Sequence, residues 1–166
     1  MNESYVEWMV KRKPSTLWKF LKILMITATV MFGLVAFVSS NLLVVLAAVA
    51  LGVGAYFVSL NSEIEYEYLY VNKELSVDKI LSQSKRKRVA TYDLDKMEIV
   101  APLKSWHLDN YKNRQDKTVD YSSGIEEKPE KRYVFFYDGK EKVIFEPNEA
   151  MINAMKQVTA RKVYTD

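Results

Sequence analysis

ILMITATVMFGLVAFVSSNLLVVLAAVALGVGAYFVSLNS, Ile23–Ser62, runs for forty residues without Asp, Glu, Lys, Arg or His. As one helix it would reach about 60 Å, at about 1.5 Å per residue. A bilayer's hydrocarbon core is about 30 Å thick and is spanned by about 20 helical residues. Ser39, Ser40 and Asn41 are consecutive polar residues inside the run, and Ser and Asn favour turns. The segment 17–62 therefore reads as a transmembrane hairpin with helices over 17–38 and 42–60. A cleaved signal peptide has a shorter apolar core and a small-residue cleavage site. A soluble hairpin would expose too much apolar surface to water. Neither half is short enough to suggest a re-entrant loop.

Basic residues set the expected orientation. Lys11, Arg12, Lys13, Lys19 and Lys22 flank the first helix on its N-terminal side, and the loop is uncharged. Lys and Arg stay cytoplasmic, so both termini are expected inside a cell membrane crossed twice. Residues 1–16 form a cytoplasmic basic arm. Tyr5, Trp8 and Met9 share a face at helical spacing, which allows an interfacial helix; a frayed arm is the alternative. Small residues along both spans, Thr29, Gly33 and Ala36 against Ala48, Gly52, Ala50 and Gly54, suit close helix packing.

Residues 63–166 read as the water-facing domain. The formal charge is +3; of 24 basic residues five precede Asn61, and of 21 acidic residues two do, leaving nineteen of each. A nucleic-acid binder would carry a strongly basic domain. There is no Cys, which excludes disulfides and thiolate metal sites.

The domain opens on Ile64, Tyr66, Tyr68 and Tyr70 alternating with Glu63, Glu65 and Glu67. Period two marks a half-buried strand. A turn at 71–74, a strand over 75–81, a turn at 82–84, and strands over 85–94 and 97–102 follow. Strands at about ten-residue spacing predict an antiparallel sandwich or barrel. The pattern fails from Leu103 to Lys131, apart from a short strand over 118–121. It returns with a hairpin, 132–137 and 142–145, around Asp138-Gly139, a hairpin-turn dipeptide. Pro147 is expected to open an amphipathic helix with Met151, Ile152, Met155 and Val158 on its apolar stripe.

Four strands, then about three, then one C-terminal helix resembles a pleckstrin-homology-like domain, an antiparallel β-barrel or sandwich closed by one helix. More closely, the chain resembles a family of small uncharacterised membrane proteins of Gram-positive anaerobes. Tyr5-Val6-Glu7, Lys11-Arg12-Lys13-Pro14-Ser15, Asp78-Lys79-Ile80, Lys85-Arg86-Lys87-Arg88, Asp120-Tyr121-Ser122-Ser123-Gly124 and Phe145-Glu146-Pro147 carry the likeness. The resemblance implies architecture and transfers no activity.

Lys85-Arg86-Lys87-Arg88 is the sharpest cluster. With Lys11, Arg12 and Lys13 it makes up the candidate lipid- or phosphate-binding set. On a strand, Lys85 and Lys87 point opposite to Arg86 and Arg88. The competing reading is cross-strand neutralisation of the Glu63, Glu65 and Glu67 row. His107 is the single histidine, with Asp109 its nearest acid and no partner pattern for catalysis. No metal site or cofactor is expected. The chain thus reads as a non-enzymatic membrane-anchored interaction or scaffold protein with an unknown protein partner. An anionic-lipid sensor is the alternative and a membrane-tethered enzyme the third.

Overall fold

The computed structural model describes residues 5–125, 127 and 129–166. Two compact units emerge, one of Lys13–Ile64 with Leu81–Lys85, the other of residues 5–12, 65–80 and 86–166.

The first unit is the helical hairpin: α1 (Thr16–Ser39) and α2 (Leu42–Ser62), 24 and 21 residues long. Both are long and apolar enough to cross a membrane. The break falls at Ser40-Asn41. Ser40 turns left-handed at φ 49° and donates its N–H to the Ala36 carbonyl. The Asn41 side chain accepts from the Leu43 N–H at 2.9 Å and starts α2. Ser15 caps α1 in the same way. Gly54 packs against α1, where an added Cβ would approach Met25 Cε to 2.7 Å, and Gly52 meets Thr29. Gly33 meets nothing. Thr29, Gly52 and Gly54 thus serve packing inside the hairpin, and Ala36 is buried there, whereas Ala50 is exposed. Thr27 and Thr29 return their hydroxyls to the carbonyls four residues back, which satisfies them without water. Apolar side chains such as Phe37 and Val38 are more than four-fifths exposed.

The second unit holds two four-stranded sheets. The first has the order β1-β2-β3-β4: β1 (Val6–Lys11), β2 (Ile64–Val71), β3 (Glu74–Leu81) and β4 (Lys85–Asp93). The second runs β5-β7-β8-β6: β5 (Met97–Pro102), β6 (Lys117–Asp120), β7 (Tyr133–Tyr137) and β8 (Glu141–Phe145). The last helix, α3, is Glu149–Val158, capped by Asn148 accepting from Met151 N.

Three expectations need correction, and one open stretch is filled in. The arm is not an interfacial helix: Val6–Lys11 is a strand, antiparallel to β2, with Trp8 opposite Tyr68 and Val10 opposite Tyr66. Its period-two pattern outweighs the helical one because β2 supplies a matching row. Among the described residues the strands form two sheets and no closed barrel, and β6 lies parallel to β8. Helix α3 begins two residues after Pro147, because Asn148 takes the cap. The irregular stretch is structural: a 3-10 helix, Trp106–Tyr111, lays Leu108 on the outer face of the second sheet with Ile99, Ala101, Val134 and Phe136.

The inner core is aromatic. Tyr68 meets Phe145 edge-on at 5.9 Å, and Tyr92 meets Phe135 and Tyr137, each at 5.0 Å. Such pairs add about 0.5–1.5 kcal/mol beyond their burial. The buried Tyr68 hydroxyl donates to the Tyr121 carbonyl at 2.7 Å and accepts from Glu146 N at 3.3 Å. Three two-residue turns, Asn72-Lys73, Ser82-Gln83 and Asp138-Gly139, place both residues at positive φ, the type I′ form that matches strand twist.

Candidate functional site

The basic set splits by residue type. Its three arginines are engaged inside the fold. Arg12 donates to the Tyr66 hydroxyl at 3.0 Å and the Asp120 carbonyl at 2.9 Å, tying the end of β1 to the end of β6. Arg86 pairs with Glu67 and, at 3.0 Å, with Asp78. Arg88 reaches the other Asp78 oxygen at 2.9 Å. The Asp78 carboxylate accordingly holds the Arg88 guanidinium above its ordinary pKa. Lys11, Lys13, Lys85 and Lys87 are exposed and make no ion pair among the described residues.

This arrangement explains why β2 is buried on both faces. The tyrosines point into the core. Glu67 points away from it, yet is only 4% exposed, because Arg86 lies over it. Asp78, also 4% exposed, was invisible as a partner in the sequence. Glu63 takes a different cation, Lys22, at 3.5 Å. Charge on β4 has a second effect: it is an edge strand, and charged side chains discourage edge-to-edge association.

Sequence reasoning missed a cleft of about 720 Å³ in the sheet unit. Trp8 from β1, Tyr133 from β7 and Ile152 from α3 give it apolar walls; Lys131, Glu146 and Glu149 give it charges of both signs. Burial, and after it the Glu149 carboxylate, push the Tyr133 phenol pKa up. The volume lies within the range of small-molecule pockets, about 300–1,000 Å³. No local signal in the sequence marks it, since the three walls come from distant parts of the chain.

His107 sits between Trp106 and Tyr164, with ring centroids 3.7 and 3.8 Å away. Its Nε2 lies 3.5 Å from Asp166, not against Asp109, which pairs with Lys112 at 2.7 Å. Among the described residues no three His, Cys, Asp or Glu side chains converge as metal ligands.

Two sheets, a C-terminal helix and a paired apolar hairpin find their match in one family, described as Bacterial PH-like domain (DUF6106), over residues 2–165. The chain belongs to this family. No curated protein and no solved structure matches it. The PH-like assignment therefore rests on the family match. It spans the hairpin as well as the sheets, so the two apolar helices lie within the family's own extent.

Proposed function

We propose that this PH-like chain is a non-enzymatic membrane-anchored interaction protein. Its hairpin crosses the cell membrane twice and holds the sheet unit on the cytoplasmic side, where it binds a protein partner. The carrying observation is topological. Strands β1 and β2 are neighbours in one sheet, and the hairpin is the connection between them. Chain leaving one body and returning to it must cross a bilayer an even number of times. Only Glu63 separates α2 from β2, which leaves no linker. Basic residues before α1 favour the cytoplasm. The cleft beside Trp8 is the surface we assign to the partner. A photo-reactive residue at Trp8 in the full-length protein should then crosslink one discrete partner in cells, while the same residue at Lys87 gives none. Equal or absent crosslinking at both positions would contradict the reading.

A second reading has its own support, the four lysines left unpaired. Each basic residue near an anionic leaflet contributes about 1 kcal/mol. In mixed-lipid nanodiscs, replacing Lys11, Lys13, Lys85 and Lys87 with Gln should reduce anionic-lipid enrichment around the protein. Replacing Arg86 and Arg88 should destabilise the fold without changing that enrichment. An unchanged lipid profile in the lysine variant removes this reading.

A further inference from the structure

The 3-10 segment that covers the outer face of the second sheet does not cover all of it. Beside it lies a cleft of about 360 Å³. Leu108 and Phe136, both buried, form its apolar floor. Three lysines surround that floor, each from a different element: Lys104 follows β5, Lys112 follows the 3-10 helix, and Lys142 lies on β8 directly opposite Phe136. Among the described residues, no carboxylate lines the cleft. Lys112 is paired with Asp109 at 2.7 Å, whereas Lys104 and Lys142 make no ion pair among the described residues. Ser105 is buried at the wall; its oxygen accepts the His107 N–H, so its own hydroxyl proton remains to be donated.

Ammonium groups gathered around one cavity repel one another, and an anion among them removes that repulsion. With Lys112 paired to Asp109, the charges of Lys104 and Lys142 are left over, and a single negative charge would balance only one of them. A phosphate monoester, carrying close to two charges near neutral pH, suits them better and offers several acceptor oxygens to lysine and hydroxyl donors. The apolar floor needs a different group, an alkyl or ring portion attached to the phosphate.

We propose that the cleft at Lys104, Lys112 and Lys142 binds a phosphate monoester joined to an apolar moiety. The site is separate from the four lysines of the lipid reading and stands or falls independently of the membrane anchor. A soluble phosphate ester and a phosphatidic acid headgroup share this chemistry, and an experiment can distinguish them.

The full-length protein is placed in phosphatidylcholine nanodiscs, and binding of hexyl phosphate and inorganic phosphate is followed by calorimetry and by the unfolding midpoint. Hexyl phosphate should bind more tightly than inorganic phosphate and raise the midpoint. K104Q/K142Q should weaken it by tenfold or more, since a charge-assisted hydrogen bond goes with each lysine and losing even one is worth roughly tenfold. K104R/K142R should retain binding, and K85Q/K87Q should match the wild type. Should the Gln pair fail to fold, the single variants K104Q and K142Q take its place. A response confined to discs containing phosphatidic acid, and lost in K104Q/K142Q, assigns the lipid headgroup as the source. Wild type unresponsive to every probe, or K104Q/K142Q responding equally, overturns the proposal.

Discussion

Tyr68 and Tyr70 are two residues apart on β2, nearly fully buried, and differ in their hydroxyls. The Tyr68 oxygen has a donor and an acceptor in place, whereas that of Tyr70 has no hydrogen-bond partner among the described residues. An unmet buried hydroxyl costs about 1–3 kcal/mol. Tyr70→Phe should therefore leave stability unchanged or raise it by up to about 1 kcal/mol, while Tyr68→Phe lowers it by about 1–2 kcal/mol. Chemical denaturation of both variants in detergent separates them. Arg114 offers a second test. It pairs with Glu98 at 2.7 Å and Asp116 at 3.1 Å, and lies over the Tyr111 and Phe136 rings. Its hydrogen bond holds the Glu98 carboxyl below its ordinary pKa. A lowered folded-state pKa gives stability that is complete above the unfolded value and fades as pH falls through the folded one. Arg114→Met should lower the unfolding free energy near pH 7, modestly because the side chain is partly exposed. That deficit should narrow as pH drops below about 4, near the free carboxylate value. A deficit independent of pH would place Arg114's contribution in packing alone.

At the scale of elements, what the sequence revealed depended on how far apart the partners lie. The β2–β3–β4 run and the β7–β8 hairpin are closed by two-residue turns, so period two and turn residues disclose them locally. Strand β1 shows the same alternation, but its partner lies beyond the whole hairpin, and six residues of mixed periodicity could not decide alone. Parallel pairing of β6 with β8 needs a long connection, and no local signal marks it. The 3-10 cover has no regular period because Leu108 and Tyr111 meet the sheet from an irregular backbone. The basic run on β4 was legible as a cluster. That Asp78 and Glu67 claim its arginines was not, because this requires knowing which strands adjoin. Turns give an element-scale prediction. Lys73 occupies a positive φ of 67°, costly for a residue with a Cβ. Lys73→Gly should raise the unfolding free energy by about 0.5–1 kcal/mol, reduced somewhat by loss of its exposed contact with Asp95.

For the molecule as a whole, connectivity makes the strongest demand. A sheet strand precedes α1, another follows α2, and the two are hydrogen-bonded neighbours. The segments before and after the hairpin must share one side of any bilayer it spans. The chain contains no Cys, so single-cysteine variants report cleanly. Labelling of intact cells with a membrane-impermeant maleimide at Tyr5→Cys, Ser40→Cys and Asp166→Cys tests the account most directly. The prediction is reaction at position 40 from outside, with positions 5 and 166 reacting only after the membrane is opened. Positions 5 and 166 reacting from opposite sides would contradict it.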